Sequence, residues 1–514
     1  MNIVLKHKHR IILMLILICL LIKGFYGEKI LANGGLGFDG VIFADLTANA
    51  FKYLSNHTID NYYFQRIGIP LVLHTIFKIF NIYFSESNII QAFLCLNIFC
   101  IILGAIYYFL ISSELKLKPT IEIIGFSSLF FCFPILKLSM FYPILMDIPC
   151  FTLSIIFLYC YLKDKSIICL ITLFLGAFIF PNFILLSILL FFKKTPTKLL
   201  HKTSVLSNNK SQLMLFLAKY NSIQILLLIT TPLFLVFLLF KFYYFNSFDI
   251  IQQGFRFYPG KTIFVLFSFF LAILYLCFLN FFKSEQMTLT QLLKSFRLIH
   301  IFSFITLFIC VKFIINSCSS KVEANLTLDK YLTNIINQVV KNPLNFIVSH
   351  TFYFGAMPLL LFFILKDVKK EILNLGFGML FFYTIIVFFS VGNESRQIIP
   401  FFPFLTFLSI ISLNKYWNIS IYFSGLFSII CLAISHFWYQ INAVKTGLTY
   451  FTPSAIFTKF PAQRYFMFQG PWVSNYMYKI HLFVCIFILF VLWFMFKKSK
   501  LIYRNIDTFD DKNI

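Results

Sequence analysis

Residues 11–22 read IILMLILICLLI, between the basic start MNIVLKHKHR and the polar stretch GGLGFDG at 34–40. With its flanking residues, this apolar run is long enough to cross about 30 Å of hydrocarbon as a helix. A small-x-small cleavage pattern does not follow it, because Phe25 occupies the −3 position for a cut after Gly27. The pattern predicts a retained membrane anchor with its N-terminus inside.

Similar apolar runs recur along the chain, which has 60% hydrophobic residues, 12% charged residues and a mean hydropathy of +0.86. These values lie far from those of soluble globular proteins. A helix pairs its own backbone groups and can therefore cross a bilayer. We expect an all-α fold, a polytopic transmembrane helical bundle that forms a single integral membrane domain over residues 1–514.

About fourteen spans are predicted, with both termini inside. Their ranges are 10–26, 88–113, 120–138, 146–162, 166–180, 182–193, 222–245, 262–282, 298–316, 345–365, 374–391, 398–414, 418–438 and 481–496.

The segment 166–193 decides the orientation of everything that follows it. As one helix it would place the lysine-rich loop 193–221 outside, against the tendency of Lys and Arg to remain in cytoplasmic loops. A break at Pro181-Asn182, giving two short helices, returns the chain to the inside. Irregular backbone at membrane depth needs protein or water around it, so we expect this break to line a cavity.

The formal net charge of +24 is distributed in short loops on alternate sides of the apolar runs, which indicates topology. The densest group lies in the loop 193–221 and consists of Lys193, Lys194, Lys198, Lys202, Lys210 and Lys219. We expect this cytoplasmic loop to contact anionic lipid headgroups. No nucleic-acid partner is expected.

Four outside loops follow from this topology, at 27–87, 246–261, 317–344 and 439–480. The first is predicted to hold two juxtamembrane helices, because 42–54 has an apolar stripe and 69–84 opens with Pro70 in its first turn. The last is rich in aromatic residues. Their rings either anchor at the bilayer interface or stack on sugar faces, and the pattern leaves both interpretations open.

Asp39 lies between glycines in the first outside loop, and two roles suit it. Its carboxylate can cap the helix at 42–54 by accepting hydrogen bonds from the first free N–H groups. A carboxylate held at the edge of a cleft also suits a general base or a metal ligand. The two roles are compatible.

Two more polar groups precede spans or helices. Asp60 stands just before NYYFQRIGIP at 61–70, where the Arg66 guanidinium either holds a phosphate through two hydrogen bonds or contacts lipid headgroups. Asp147 follows FYPILM at the outside mouth of a span. It belongs either to a site or to a solvated helix start, where its charge suits the helix dipole.

The segment GNESRQIIPFFPF at 392–404 forms a short outside turn that contains Glu394 and Arg396. Arg396 lies close to a predicted span, from where it can reach into a cavity and hold an anionic leaving group. The alternatives are a local pair with Glu394 and a headgroup contact. We treat Asp60, Arg66, Asp147, Glu394 and Arg396 as candidate substrate-binding residues.

The GFDG motif followed by aromatic-x-x-Arg-Ile-x-x-Pro, at 63–70, resembles the first outside loop of bacterial integral-membrane GT-C glycosyltransferases. A looser likeness extends to Asp147 and to Glu-x-Arg-x-x-x-Pro at 394–400. The chain lacks the paired Asp-Glu that protein O-mannosyltransferases carry in this loop. It also lacks the soluble C-terminal domain of oligosaccharyltransferases. The resemblance therefore leaves the acceptor and metal dependence open.

The resemblance implies an inverting transferase of the cytoplasmic (inner) membrane that uses a sugar on a polyprenyl phosphate or pyrophosphate. Asp39 would be the catalytic base, with Arg66 and Arg396 on the departing phosphate. The acceptor would be a glycan, a lipid or a protein. No nucleotide or redox cofactor is expected, since the chain has no matching Gly-rich loop, and a divalent cation at Asp39 is compatible with the pattern.

Two other functions suit the same topology. One is a flippase or transporter of lipid-linked oligosaccharides, a class that often shows related halves and charges near mid-membrane. The other is an O-antigen-type polymerase, which relies on Arg-bearing outside loops. The twelve cysteines include no CxxC pair and no Cys/His cluster with zinc spacing, so a disulfide framework or structural metal is not expected.

Overall fold

A computed structural model describes residues 8–193, 262–281, 289–320, 342–392, 394–442 and 475–510, with positions 230, 232, 233, 236, 335 and 339. Within these ranges the regular structure is helical, and the β pairing is limited to one bridge between Phe192 and Phe296. The all-α prediction is confirmed for this part of the chain.

The first part of the chain forms nine helices and two 3-10 segments, the first of which is Ala32–Gly35. The others are α1 (Lys8–Phe25), α2 (Gly40–Asn56), α3 (Asn61–Phe64), α4 (Gly68–Ile79), α5 (Glu86–Glu114), α6 (Pro119–Phe130), α7 (Pro134–Phe141), α8 (Asp147–Leu162), α9 (Ser166–Ala177) and the 3-10 helix Pro181–Leu189. Helices α2 and α4 occupy the positions predicted for the two juxtamembrane helices.

The described residues of the second part form nine further α-helices, with a 3-10 helix at Ser395–Ile398. They are α10 (Thr262–Asn280), α11 (Leu289–Ser295), α12 (Leu298–Cys318), α13 (Asn345–Phe354), α14 (Met357–Leu375), α15 (Phe377–Phe389), α16 (Phe402–Tyr416), α17 (Ile421–Ile434) and α18 (Asn475–Asp510). The predicted span 222–245 and most of the loops 193–221, 246–261, 317–344 and 439–480 lie outside the described residues.

Three of the described helices are long and apolar enough to cross a membrane: Glu86–Glu114, Leu298–Cys318 and Met477–Ser499. The number rises to five if each of two bent helix pairs is counted as one span. Length and apolar composition are the requirements for a spanning helix. The protein is therefore helical, with three to five candidate membrane spans in the described residues.

Two segments predicted as single straight spans are bent. The span 120–138 breaks after Phe130, where α6 and α7 meet at 50°. The span 345–365 breaks at Gly355, where α13 and α14 meet at 106°. Gly355 has φ +81°, a conformation that glycine adopts without a steric cost. Pro358 then lies in the first turn of α14, where its missing N–H is tolerated.

The predicted break in 166–193 is present. Helix α9 ends before Phe180, whose extended backbone (φ −149°, ψ 113°) is the conformation favoured before Pro181. The second of the two predicted short helices is a 3-10 helix, Pro181–Leu189. It brings Phe192 back beside Asp164, since both line one small pocket. The two arms therefore start and finish at the same end of the bundle.

The core is formed by helices that pack along their lengths, with α5 against α8, α14 against α16 and α6 against α17. Aromatic rings fill much of it. The rings of Phe354 and Phe402, for example, stack with centroids 4.1 Å apart and join α13 to α16. Among apolar lipids, such close packing takes the place of the hydrophobic effect in holding helices together.

Candidate functional site

The GFDG turn places the Asp39 carboxylate in a cleft. Asp39 occupies the N-cap position of α2, but its side chain makes no capping hydrogen bond within the described part of the chain. Its backbone carbonyl instead accepts from the N–H groups of Ile42 and Phe43. The side chain is 50% exposed and lines the cleft. The capping interpretation is therefore wrong, and the carboxylate remains accessible.

Tyr142 holds the backbone on both sides of Asp39. Its hydroxyl oxygen accepts hydrogen bonds from the N–H groups of Phe38, at 2.8 Å, and Gly40, at 2.9 Å. Gly37 allows this approach, because its φ is +72° and a Cβ there would lie 2.3 Å from the Tyr142 ring. Sequence reasoning missed Tyr142, although the FYPILM segment that contains it had been noted.

A buried amide supports the segment that carries Tyr142. Asn97, on α5, donates hydrogen bonds from Nδ2 to the carbonyls of Ser139 and Pro143, each at 3.0 Å. These carbonyls lie at the end of α7 and just beyond it, where no helical partner satisfies them. Asn97 therefore fixes the segment between α7 and α8 to helix α5.

Arg396 contacts two carboxylates from distant parts of the chain. Its Nε and Nη2 donate to the two oxygens of Asp147 at 3.0 Å each, a bidentate ion pair across 249 residues. Its Nη1 lies 3.9 Å from Asp39 Oδ2. Asp147 is only 2% exposed. Among the described residues, the ion-pair partners of Arg396 are these two aspartates, not Glu394 as the local alternative supposed.

This arrangement keeps Arg396 charged. Burial by itself would lower the pKa of the guanidinium, but the carboxylates of Asp147 and Asp39 outweigh it and raise the pKa well above its ordinary value. Arg396 is thus a fixed cation at the floor of the cleft.

His350, on α13, supports the turn that carries Arg396. Its Nε2 lies 2.7 Å from the Ser390 carbonyl, and its Nδ1 lies 2.9 Å from the Ser395 hydroxyl. A carbonyl only accepts, so Nε2 must donate, and in the neutral ring Nδ1 accepts from Ser395. Sequence reasoning missed this histidine, because nothing in its local sequence distinguishes it from a core residue.

Glu394 and Gln397 line the same cleft. Burial raises the pKa of the Glu394 carboxyl, an effect that the nearby Arg396 guanidinium partly offsets. Gln397 Oε1 accepts a hydrogen bond from Asn182 Nδ2 at 2.9 Å. Phe180 is a further lining residue. The break between α9 and the 3-10 helix therefore borders the cleft, in agreement with the expected cavity.

Arg66 forms the opposite wall. Its Nη1 donates to the Tyr62 carbonyl at 2.9 Å, and its guanidinium carbon lies 3.9 Å from the centroid of the Tyr62 ring. These contacts hold the planar cation in place beside Tyr63. Burial raises the pKa of the Tyr62 hydroxyl. Arg66 thus lies in the cleft as an ordered positive group.

Asp60 has a different position. Its carboxylate accepts a hydrogen bond from the N–H of Tyr62 at 2.7 Å and so caps α3. It is not among the residues that line the cleft. Four of the six candidate residues, Asp39, Arg66, Glu394 and Arg396, therefore line the cleft. Asp147 joins them through its ion pair with Arg396. Asp60 has a supporting role, because it caps the helix that carries Tyr62.

The cleft contains about 460 Å³ of empty space, part of it open to solvent. A separate apolar cavity, with about 490 Å³ of empty space that is partly open to solvent, borders the 390–398 turn. His350 and Ser390 line this apolar cavity together with side chains of α10, α13, α14, α15 and α16. The polar cleft and the apolar cavity therefore share the turn between them.

The described residues contain no group of three or more His, Cys, Asp or Glu side chains arranged to hold a metal ion. In the cleft, the cation that contacts both Asp39 and Asp147 is the Arg396 guanidinium. This donor set does not fit a divalent ion held jointly by the two aspartates.

Comparison of the chain with protein-family models, with curated proteins and with solved structures found no match. The likeness to GT-C glycosyltransferases therefore rests on the motifs quoted above.

Proposed function

We propose that the chain is a GT-C-like inverting glycosyltransferase of the cytoplasmic membrane. It transfers a sugar from a polyprenyl-phosphate or pyrophosphate donor to a glycan, lipid or protein acceptor on the extracytoplasmic face. One observation carries the proposal: the half-exposed Asp39 carboxylate faces a cleft that also contains Arg66 and Arg396. A proton acceptor and two fixed cations are what transfer from an anionic leaving group requires.

The reaction on this proposal is a single displacement. Asp39 takes the proton of the acceptor hydroxyl as that oxygen attacks the anomeric carbon. The bond between the anomeric carbon and the phosphate oxygen breaks, and its electron pair leaves with the lipid phosphate. Attack from the side opposite to the phosphate inverts the configuration of the sugar.

The two arginines differ in what they can offer a phosphate. Arg396 uses Nε and Nη2 on Asp147, and its Nη1 lies near Asp39. We therefore assign the leaving phosphate mainly to Arg66, whose guanidinium is held on the Tyr62 ring. Arg396 orients the Asp39 carboxylate and adds positive potential, a narrower role than the direct phosphate contact that the resemblance implied.

The apolar cavity supports a lipid donor. It borders the same turn as the cleft, and its walls are mostly apolar side chains such as Ile347, Phe354 and Phe402. A polyprenyl tail placed there would leave its phosphate near the 390–398 turn. A nucleotide-sugar donor has no long apolar tail that such a cavity would bind.

The proposed topology retains about fourteen spans with both termini cytoplasmic. Two observations support it. Described helices occupy all the predicted span positions except 222–245, and the 166–193 hairpin returns to the end of the bundle from which it started. The cleft then faces outward, and the lysine-rich loop 193–221 remains inside.

The test is sugar transfer in proteoliposomes supplied with polyprenyl-phosphate-linked sugars. Asp39→Asn removes the proton acceptor and is expected to reduce transfer by about 10²–10⁴-fold. Asp45→Asn is the matched control: Asp45 lies on the same helix, bonds to Asn49 at 2.8 Å and is not a cleft residue. Equal activity of the two variants would refute the assignment.

One observation favours a second candidate, an O-antigen-type polymerase. Arg66 and Arg396 come from loops far apart in sequence and meet in one cleft, as expected for an enzyme that binds two lipid-linked glycans. The products distinguish the two functions. A transferase adds single sugars, whereas a polymerase extends lipid-linked chains by whole repeat units.

A further inference from the structure

A second polar cavity lies at the same end of the bundle, beside the C-terminal end of α1. It contains about 660 Å³ of empty space, including open solvent, and shares no lining residue with the cleft. Its walls come from Leu20 and Lys23 on α1, from Lys137 on α7 and from the segment 437–440. The connection between α1 and α2 is tied to α7, since Ile30 N–H donates to the Phe141 carbonyl.

Two lysines, Lys23 and Lys137, line this cavity, and Lys29 lies close enough to Lys137 to feel its charge. Lys137 is 7% exposed, and its Nζ donates to Glu28 at 2.8 Å and to the Tyr439 carbonyl at 2.7 Å. Lys29 donates to three carbonyls at the end of α1. The Lys23 Nζ lies 4.9 Å from the centroid of the Phe437 ring.

The positive charge of this cluster is only partly neutralised. Glu28 is its one carboxylate, and Glu28 also accepts from the N–H groups of Ile441 and Asn442. Among the described residues, Lys23 and Lys29 have no carboxylate within ion-pair distance. Burial and the charge of Lys137 lower the pKa of Lys29 to about 8, which shows that the second charge is held at a cost. A bound anion would reduce this electrostatic cost.

The walls are amphipathic. Leu20 and Met140 supply apolar surface next to the ammonium groups, and Trp438 is 54% exposed at the rim. Aromatic residues with one exposed face are typical of the membrane interface. An anionic group attached to an apolar body matches both parts of the cavity.

We propose that this cavity binds the phosphate group of an anionic phospholipid, with Lys23 and Lys137 as its ligands and Trp438 as the wall at the bilayer surface. Lysine side chains bind phosphate as point charges and do not demand a fixed geometry. The site is separate from the cleft, and the proposal does not depend on the glycosyltransferase assignment.

The experiment measures lipid retention by the full-length protein. Protein purified from nanodiscs of phosphatidylcholine with a minor share of phosphatidylglycerol is analysed by mass spectrometry for bound lipid. Wild type is expected to retain phosphatidylglycerol preferentially. Lys23→Gln should lower this preference by roughly tenfold, the effect of losing one charge-assisted contact. The matched control is Lys78→Gln, because Lys78 also lies over a ring, that of Phe84, outside the cavity.

Folding of each variant is checked by thermal unfolding. Equal phosphatidylglycerol retention by Lys23→Gln and Lys78→Gln would overturn the proposal. Displacement of bound phosphatidylglycerol by inorganic phosphate would support recognition of the phosphate itself. Binding of inorganic phosphate without any retention of phosphatidylglycerol would assign the site to a soluble phosphate compound and overturn the lipid source.

Discussion

Arg396 lies between two carboxylates, and its geometry determines what a substitution there does. The buried Asp147 depends on both N–H contacts from Arg396, whereas Asp39 has one longer contact and an exposed side. Breaking a buried ion pair by removing one partner is costly, because the other charge stays buried without compensation. Asp147 is thus a positioning residue that acts on Asp39 through Arg396.

Arg396→Ala is expected to destabilise the protein by about 3–5 kcal/mol, as for other broken buried pairs. Arg396→Lys keeps the charge but loses the bidentate geometry, so transfer should fall more than stability does. Thermal unfolding and transfer rates of both variants provide the measurement. If Arg396→Lys transfers at the wild-type rate, the orientation of Asp39 does not depend on the guanidinium.

Tyr142 provides a second residue-level prediction. Tyr142→Phe leaves the N–H groups of Phe38 and Gly40 without their acceptor, at a cost of about 1–3 kcal/mol for buried donors. The ring remains, so the core should persist while the Asp39 loop loosens and transfer falls. Tyr107→Phe is the control, since Tyr107 lies on α5 against Tyr159. Identical transfer rates in the two variants would contradict this role.

At the scale of elements, helix α1 is fixed at both ends. At its start, Arg10 donates from Nε and Nη2 to the carboxylate of Glu122 on α6, at 2.6 Å and 2.9 Å. At its end, Lys29 donates to the last carbonyls, which have no helical partners. Helix α1 is therefore tied to the rest of the bundle at its start and held at its end.

Arg10→Met should destabilise the protein by about 3–5 kcal/mol, because Glu122 is 1% exposed and would lose its main counter-charge. Transfer per folded molecule should not change, since this pair lies at the other end of the bundle. The control is Lys163→Met, which removes an exposed pair with Glu114 and should leave the unfolding temperature unchanged. A wild-type unfolding temperature for Arg10→Met would show that the pair is not stabilising.

The lysine cluster predicts a pH dependence. The pKa of Lys29 in the folded protein is about 8, against an ordinary value of 10.5, and the charged groups facing it are Lys137 and Glu28, with Lys23 beyond. As pH rises through about 8, Lys29 loses its charge and phosphatidylglycerol retention should weaken. Between pH 8 and about 10.5, Lys29 binds fewer protons in the folded state than in the unfolded state. Its contribution to the free energy of unfolding therefore increases with pH over this range. Lipid retention measured across this pH range provides the check.

At the scale of the whole molecule, the cleft and the lysine-lined cavity have a common position relative to the proposed membrane. The cleft and the lysine-lined cavity share the end of the bundle at which α1 finishes, and the ion pair of Arg10 with Glu122 marks the other end. The predicted topology would place the first of these ends outside and the second inside. This topology can be tested directly in cells.

A cysteine introduced at Asn208 should resist a membrane-impermeant thiol reagent in intact cells, whereas one at Asn56 should react. Asn208 lies in the predicted cytoplasmic loop, outside the described residues, and Asn56 is the last residue of α2. The unsubstituted protein gives the background labelling of its own cysteines. The reverse pattern would invert the topology and place the cleft on the cytoplasmic side.

Local sequence patterns were sufficient to predict where the helices lie. They were not sufficient to predict most of the breaks between helices. Apolar runs, Pro70 and Pro181 predicted helices and one break at the right places, because helix formation and proline geometry depend on near neighbours. The bends after Phe130 and at Gly355 were missed. There the surrounding residues are apolar on both sides, so composition alone does not distinguish a bent helix pair from a straight span.

The sequence by itself indicated a helical membrane protein. It also identified Asp39, Arg66, Asp147, Glu394 and Arg396 as candidates, because charged groups next to apolar runs are conspicuous in any sequence. Only the tertiary structure decided which of them meet. It paired Arg396 with Asp147 across 249 residues and set Tyr142 on the backbone beside Asp39. The physical reason is that ion pairs and hydrogen bonds are specified by distances in space, and distant segments acquire those distances only when the helices pack.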